Sequence, residues 1–368
     1  MLDRDIGKQA FEHLSPLISQ IHSSFIQRIL KENPGIEGLL SEYLEYSSRD
    51  SLFPRPILTF FGYVSNKTEF SWAYLDDIKD LIILSQLLRD FFAIHDDIVD
   101  EDEIKFGKPT LPIVYSSFPG KENRQLTKQG KDLSLFLGDF LIFIINELIL
   151  SSNKSNEIKI ELFKLLGDTI RQTLSGQIKE LLFQKSDIMK ISNDNLLSMY
   201  SEKAANYCYV FPFELGLILS NASIELKGAS RNILYKIGIA SQIIDDIVGV
   251  FPNLLNQEKI TLGEILNLRR TILLVNLAHR VHENDNILEI ISKSSCNMEE
   301  ANLVLKKIEE YKIIAVSLEF ARNIASNLEE DINVLQIAPS SKMYLTSLLK
   351  SRVLDNLNRI QSSLEEDE

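Results

Sequence analysis

Apolar residues recur at three- and four-residue spacing along almost all of this 368-residue chain, the period of helices that bury one face. No segment alternates apolar and polar residues with turn signals on both sides, so no strand is expected. Pro34-Gly35, Phe53-Pro54-Arg55-Pro56, Gly107-Lys108-Pro109 and Phe118-Pro119-Gly120 read as breaks between periodic segments. The spacing predicts helices over about 6–32, 36–48, 55–64, 73–103, 127–151, 156–186, 194–220, 228–251, 260–283, 298–327 and 340–364. No linker is long enough to divide the chain, and 45% hydrophobic residues can supply a large core. The expectation is one all-α domain over residues 1–368, with the chemistry confined to about 50–285.

Two acidic clusters interrupt this apolar pattern. One reads Ile94-His95-Asp96-Asp97-Ile98-Val99-Asp100, the other Ile243-Ile244-Asp245-Asp246-Ile247-Val248-Gly249, each at the end of an apolar run. Carboxylates placed in an apolar setting are costly unless a cation compensates them. Asp96 and Asp100 are four residues apart, which puts both on one face of a helix, with Asp97 to one side. If helices bring Asp96, Asp100 and Asp245 to one cavity, they form a hard oxygen site. Such a site suits Mg²⁺, which prefers one or two carboxylates, waters and phosphate oxygens to an all-protein cage. A single cluster reads equally well as a solvated helix end, as Glu101-Asp102-Glu103 does. Two clusters, each after an apolar run, favour the metal. Metal beside a diphosphate implies cleavage of a carbon–oxygen bond with an allylic cation as partner, in a dry cavity. His95 is a poor ligand for hard Mg²⁺ and is expected as a hydrogen-bonded core residue.

The net charge of −13, with no basic stretch to offset it, argues against nucleic acid. Only Cys208 and Cys296 are present, without metal-ligand spacing, which fits a reducing, cytoplasmic setting. The start, Met1-Leu2-Asp3-Arg4-Asp5, lacks a signal-peptide pattern. The most apolar stretch, 133–150, carries Asp139, Asn146 and Glu147 and is expected as a buried core helix, not a transmembrane segment.

Further motifs line up with these clusters. Lys105-Phe106-Gly107-Lys108-Pro109-Thr110 follows the first; Gly138-Asp139-Phe140-Leu141, Gly176-Gln177 and Lys203-Ala204-Ala205 come between; Gln242-Ile243-Ile244-Asp245-Asp246 forms the second; Lys259 and Arg269 follow. In this order and spacing, over residues 55–271, the chain resembles the trans-isoprenyl diphosphate synthases, the polyprenyl synthetase family. The resemblance implies a single helical bundle of the isoprenoid synthase type around a central cavity, a homodimer, and Mg²⁺, three ions when substrate is bound. It implies that Asp96, Asp100 and Asp245 hold metal, and that Asp97 and Asp246 orient waters or basic groups. Lys105, Lys203, Lys259 and Arg269 would clamp diphosphate oxygens, and Gln242 would hydrogen-bond near the reacting centre.

The chain departs from that pattern where the family binds isopentenyl diphosphate. In Ser51-Leu52-Phe53-Pro54-Arg55-Pro56 the expected lysine is Leu52, although Arg55 remains. The expected His or Gln is Arg89, and the second arginine of the Arg-Arg-Gly motif is Phe106. The allylic site, by contrast, is kept almost whole, with its weakest point at Gly249, where the family usually has a third aspartate. Each charge-assisted hydrogen bond to a diphosphate is worth about 1.5–3 kcal/mol, so losing two cations weakens the isopentenyl site by orders of magnitude unless Arg89 and Arg55 rebuild it. Phe91 and Phe92, five and four residues before Asp96, are expected to shorten the space for a growing tail. The leading expectation is an enzyme that condenses a short allylic diphosphate with isopentenyl diphosphate to a C10–C15 product. The alternatives are a terpene cyclase, a prenyltransferase to another acceptor, or a non-catalytic subunit of a synthase.

Overall fold

The computed structural model describes residues 6–49, 52–105, 107–118, 120, 125–255, 263–282 and 285–366. The fold is all-α. In chain order the first helices are α1 (Ile6–Glu32), α2 (Glu37–Ser47), α3 (Pro54–Val64), α4 (Leu75–Ile78), α5 (Leu84–Val99) and α6 (Leu111–Ser116). The central ones are α7 (Lys128–Ser151), α8 (Asn156–Gln184), α9 (Asn193–Tyr200), α10 (Phe211–Leu219) and α11 (Ile224–Val250). A π-helical segment, Ser201–Val210, joins α9 to α10. The last are α12 (Gly263–Leu266), α13 (Ile272–Ala278), α14 (Ile287–Ile291), α15 (Met298–Glu310), α16 (Ile313–Ala325), α17 (Leu328–Val334), α18 (Pro339–Leu349) and α19 (Asp355–Glu366).

The chain forms two compact units. The first comprises residues 1–166, 211–223 and 337–341; the second comprises 167–210, 224–336 and 342–368. In the first unit α10 packs along α3, and the backbones touch. A methyl at Gly216 would collide with the carbonyl of Thr59, and one at Gly62 with the carbonyl of Phe213. α5 packs on α7 and α6 on α7. In the second unit α11 is the central helix, with the Ser201–Val210 segment, α16 and α17 against it.

The observed helices differ from the periodic pattern at a few places. The run expected over 73–103 breaks between α4 and α5. Leu81, Ile82, Ile83 and Leu84, around the break, are all buried. The run expected over 298–327 breaks at Lys312, whose φ of 51° is left-handed. Asn297 starts α15 with a capping box to Glu300. The segment expected over 260–283 survives as two short helices. The missed strands are two residues each: β1 (Ile104–Lys105) pairs antiparallel with β2 (Lys108–Pro109), turning at Gly107, φ 71°. Period-two patterning has no room to show in a ladder so short.

α7 is, among the described residues, the one helix long and apolar enough to cross a membrane. One face is buried, through Leu137, Leu141, Ile144, Ile145 and Leu148. Phe136, Phe143 and Leu150, spaced by seven, are exposed on another.

The α3–α10 contact leaves no room for a side chain. Gly216→Ala is expected to destabilise the protein by about 1–3 kcal/mol, read from denaturant unfolding. Gly228→Ala, at a position with open space around it, is expected to leave stability unchanged or slightly raised.

Candidate active site

In the first unit the acidic end of α5 divides by face. Asp97 turns inward and is 0% exposed. Its carboxylate accepts hydrogen bonds from the Tyr46 hydroxyl at 2.8 Å and the Lys105 ammonium at 2.5 Å. Burial pushes this carboxyl above its ordinary range, against the pull of Lys105. Asp96 and Asp100 lie on the other side and are half-buried. Lys105 comes from β1, and the hairpin is strapped to α2. Arg49 donates to the Pro109 carbonyl at 2.6 Å and Lys108 to Glu45 at 2.6 Å. Phe106 lies outside the described residues.

Arg89 is 5% exposed, and its guanidinium donates to Asp90 at 2.9 Å. Asp90 also accepts from Tyr43 at 2.9 Å, Gln86 at 3.1 Å and Ser47. Ser47 in turn lies 3.0 Å from the buried His22 ring. Arg89 is therefore a deeply set cation with a dedicated counterion. Arg55 is half-buried in the first turn of α3. Phe91 and Phe92 are both buried, with ring centroids 5.0 Å apart and edge-to-face. His95 Nδ1 is 2.8 Å from the Phe91 carbonyl, and its Nε2 is 3.4 Å from Asp139. The imidazole lies where a Cβ at Gly138 would be, which gives the Gly138-Asp139 motif a physical reason.

In the second unit the end of α11 divides in the same way. Asp246 turns inward, 5% exposed. It accepts hydrogen bonds from the Tyr200 hydroxyl and from Gln242 at 2.8 Å. The Tyr200 oxygen itself accepts from the Ile272 amide at 2.9 Å. Burial raises the carboxyl of Asp246. Asp245 is exposed yet surrounded by protein. This crowding raises its carboxyl to about 6, and the Arg352 charge opposes the rise. The accessible surface is what a ligand would meet, so Asp245 is a solvent-facing carboxylate in a recess, not a buried one. It makes no hydrogen bond or ion pair with any described residue.

Lys203 lies in the π-helical segment, and its ammonium is paired with Glu180 of α8. One residue back on each element, Lys179 pairs with Glu202 at 2.5 Å. Gly176 brings α8 close enough that a Cβ there would strike the Lys203 backbone. Arg269 is half-buried. Its neighbour Arg270 is structural, donating to the carbonyls of Leu268, Ile291, Ser292 and Lys293. Lys259 lies outside the described residues.

Sequence reasoning missed Tyr46, Tyr200 and Glu180. Each acts on a motif residue from a distant part of the chain, and a lone Tyr or Glu in a helix carries no local signal. Among the described residues no three carboxylate, imidazole or thiol groups are gathered in advance. The carboxylates of Asp96, Asp100 and Asp245 are oxygen donors, the kind magnesium takes together with water and phosphate oxygens. The accessible Asp245 fits too, since the Arg352 charge offsets its carboxylate only in part.

A polyprenyl synthetase family profile matches residues 40–308. The chain is 24% identical over 273 residues to a short chain isoprenyl diphosphate synthase of Methanocaldococcus jannaschii, covering 73% of each. It is 24% identical over 276 residues to a geranylgeranyl diphosphate synthase of Methanosarcina mazei, covering 74% of this chain and 77% of the relative. Its fold matches the crystal structure of a geranylgeranyl pyrophosphate synthase from Corynebacterium glutamicum, complexed with isoprenyl diphosphate and magnesium. The TM-score is 0.81 at 18% identity, over 95% of this chain and 99% of that one. With a family match over most of its length and two acid-tipped helices at the motif positions, the chain belongs to the polyprenyl synthetase family of prenyltransferases.

Proposed function

We propose that this enzyme ionises a short allylic diphosphate, dimethylallyl or geranyl, and condenses it with isopentenyl diphosphate to a C10–C15 prenyl diphosphate. The observation that carries this reading is Asp245: accessible, unbonded, crowded by protein and in need of a cation. Asp96, Asp100 and Asp245 would hold magnesium, three ions with substrate bound. Bound magnesium would offset the diphosphate charge and stabilise it as a leaving group. Lys105, Lys203, Lys259 and Arg269 donate to the diphosphate oxygens. Asp97 and Glu180 orient two of these lysines through the ion pairs described above. Arg55 and Arg89 hold isopentenyl diphosphate. The allylic carbon–oxygen bond breaks with its electron pair leaving on pyrophosphate, and the alkene electrons of isopentenyl diphosphate then form the new carbon–carbon bond to the allylic cation. A pyrophosphate oxygen then takes the proton lost from the new cation. Gln242 keeps Asp246 oriented at 2.8 Å. The chain crosses between its two units five times, which supports treating them as one domain.

Two observations favour other products. The M. mazei relative is named for a C20 product, so a longer chain is the second reading on length. Arg89 spends part of its charge on Asp90, which favours a weak isopentenyl site and hence a cyclase or another acceptor. Labelled geranyl diphosphate with magnesium, with and without isopentenyl diphosphate, separates these. The expected result is a longer diphosphate that appears only with isopentenyl diphosphate, at a KM that rises in Arg89→Ala. A hydrocarbon or alcohol formed without it would replace condensation by cyclisation or hydrolysis, and no turnover at all would leave a regulatory subunit. Phe91→Ala and Phe92→Ala are expected to lengthen the product. An unchanged distribution would place the floor of the cavity elsewhere.

Magnesium binding should follow the Asp245 carboxyl. Its folded pKa of about 6 lies above the ordinary carboxylate value, so between the two the folded protein holds a proton that magnesium must displace. Affinity is expected to be full above pH 7 and to weaken as pH falls through 6, by up to about tenfold per unit. Asp245→Asn is expected to remove this dependence and reduce turnover by at least about a hundredfold. Titration calorimetry at several pH values checks it.

The exposed Phe136, Phe143 and Leu150 stripe of α7 supports a homodimer that covers it. Sedimentation should give the mass of two chains, and Phe143→Asp should shift it toward one.

A further inference from the structure

The family match begins at residue 40, so α1 lies before it. The inward face of α1 nevertheless reaches towards both cations assigned above to isopentenyl diphosphate. Ser15 and His22 are seven residues apart on that face, and both are buried.

One arm runs to Arg89. Ser47 has a single hydroxyl proton and donates it to Asp90, so its oxygen accepts from His22 Nε2 at 3.0 Å. Burial holds the imidazole below its ordinary pKa, against the pull of Asp90. The ring is therefore neutral, with its proton on Nε2. Nδ1 is then a bare acceptor, and no described residue hydrogen-bonds it. Asp90 meets Arg89 Nη1 at 2.9 Å on one oxygen, and Tyr43 and Ser47 on the other. Without His22 the Ser47 hydroxyl is free to turn to the carbonyl four residues back, as serines in helices do. Asp90 then loses a donor, and the guanidinium beside it loses part of its support.

The other arm runs to Arg55. Phe53, just before α3, has a left-handed φ of 48°. For a bulky residue that conformation is strained and persists only where its surroundings impose it. α1 supplies two of the restraints. Ser15 donates to the Leu52 carbonyl at 2.8 Å, and the His22 ring lies against the Phe53 ring, centroids 5.6 Å apart. This turn sets where α3 begins, and Arg55 is in its first turn.

We propose that His22 is a positioning residue for the isopentenyl diphosphate site, which makes α1 part of that site. Through Ser47 and Asp90 it orients Arg89, and through Phe53 it fixes the start of the helix that carries Arg55. The inference rests on the reading that Arg55 and Arg89 bind isopentenyl diphosphate.

The test is steady-state turnover of the full chain with geranyl diphosphate, isopentenyl diphosphate and magnesium. His22→Leu is expected to raise the KM for isopentenyl diphosphate by about fivefold or more, one hydrogen bond lost from the relay. The KM for geranyl diphosphate and kcat should stay close to wild type. His22→Gln, whose amide donates to Ser47 from a similar place, should restore the KM. Ile18→Val, equally buried on α1 but making no hydrogen bond through its side chain, should lower the unfolding midpoint and leave the kinetic constants unchanged. If His22→Leu does not fold, Ser47→Ala cuts the same relay and carries the same expectation. An Arg89→Ala variant with a raised KM for isopentenyl diphosphate, beside relay variants with an unchanged one, would overturn this inference alone. So would relay variants that shift both KM values and kcat together, or a KM that stays high in His22→Gln. Arg89→Ala without effect on that KM, or no condensation by the wild-type chain, would overturn the reading beneath it.

Discussion

A buried aspartate held by a tyrosine hydroxyl recurs at the end of two helices, and the candidate chemistry depends on it. On α5 the pair is Tyr46 and Asp97; on α11 it is Tyr200 and Asp246. In each cluster the aspartate just before the buried one, Asp96 or Asp245, is left more accessible. A carboxylate inside protein is tolerated only when its oxygens are matched by donors. Removing the tyrosine hydroxyl leaves a buried carboxylate oxygen without its donor, at a cost of about 1–3 kcal/mol. The tyrosine therefore does two jobs: it makes the inward aspartate affordable, and by doing so it fixes the rotation of the helix end that presents the outward one.

The remaining charges follow the same logic with different partners. Asp97 is also matched by a cation, Lys105, whereas Asp246 is matched by the neutral amide of Gln242. Lys203 is paired with Glu180 and Arg89 with Asp90. Groups expected to meet a diphosphate are thus oriented in advance by carboxylates, which lowers the ordering cost of binding. The consequence is partial neutralisation, which reaches Arg89, the cation that stands where the family pattern has a His or Gln.

Glycines explain several motifs that resemblance alone leaves as letters. Gly138 makes room for the His95 ring, Gly176 for the backbone at Lys203, and Gly238 for Ala205. Each allows two helices of one unit to approach within a distance that a methyl group would block. The motif glycines are therefore packing devices that set the depth of the functional side chains next to them.

Much of this was legible in the sequence, for definite reasons. The three-and-four period gave the all-α class, because each helix buries one stripe. The first helix appears over the expected residues 6–32. The two acidic clusters stood out because carboxylates in an apolar run need a cause that lies nearby in the chain. The rest required tertiary structure. The break at 79–83, the left-handed Lys312 and the two π-segments, Ser201–Val210 and Lys350–Leu354, leave no mark in the three-and-four pattern. Tyr46, Tyr200 and Glu180 act across 51, 46 and 23 residues of chain on their respective partners. What the sequence by itself determined was which carboxylates and cations are available and on which helix faces they lie, since that follows from a fixed period. Which of those charges is buried, which is matched and which faces solvent was decided only by the fold, because hydrogen-bond satisfaction depends on neighbours distant in the chain.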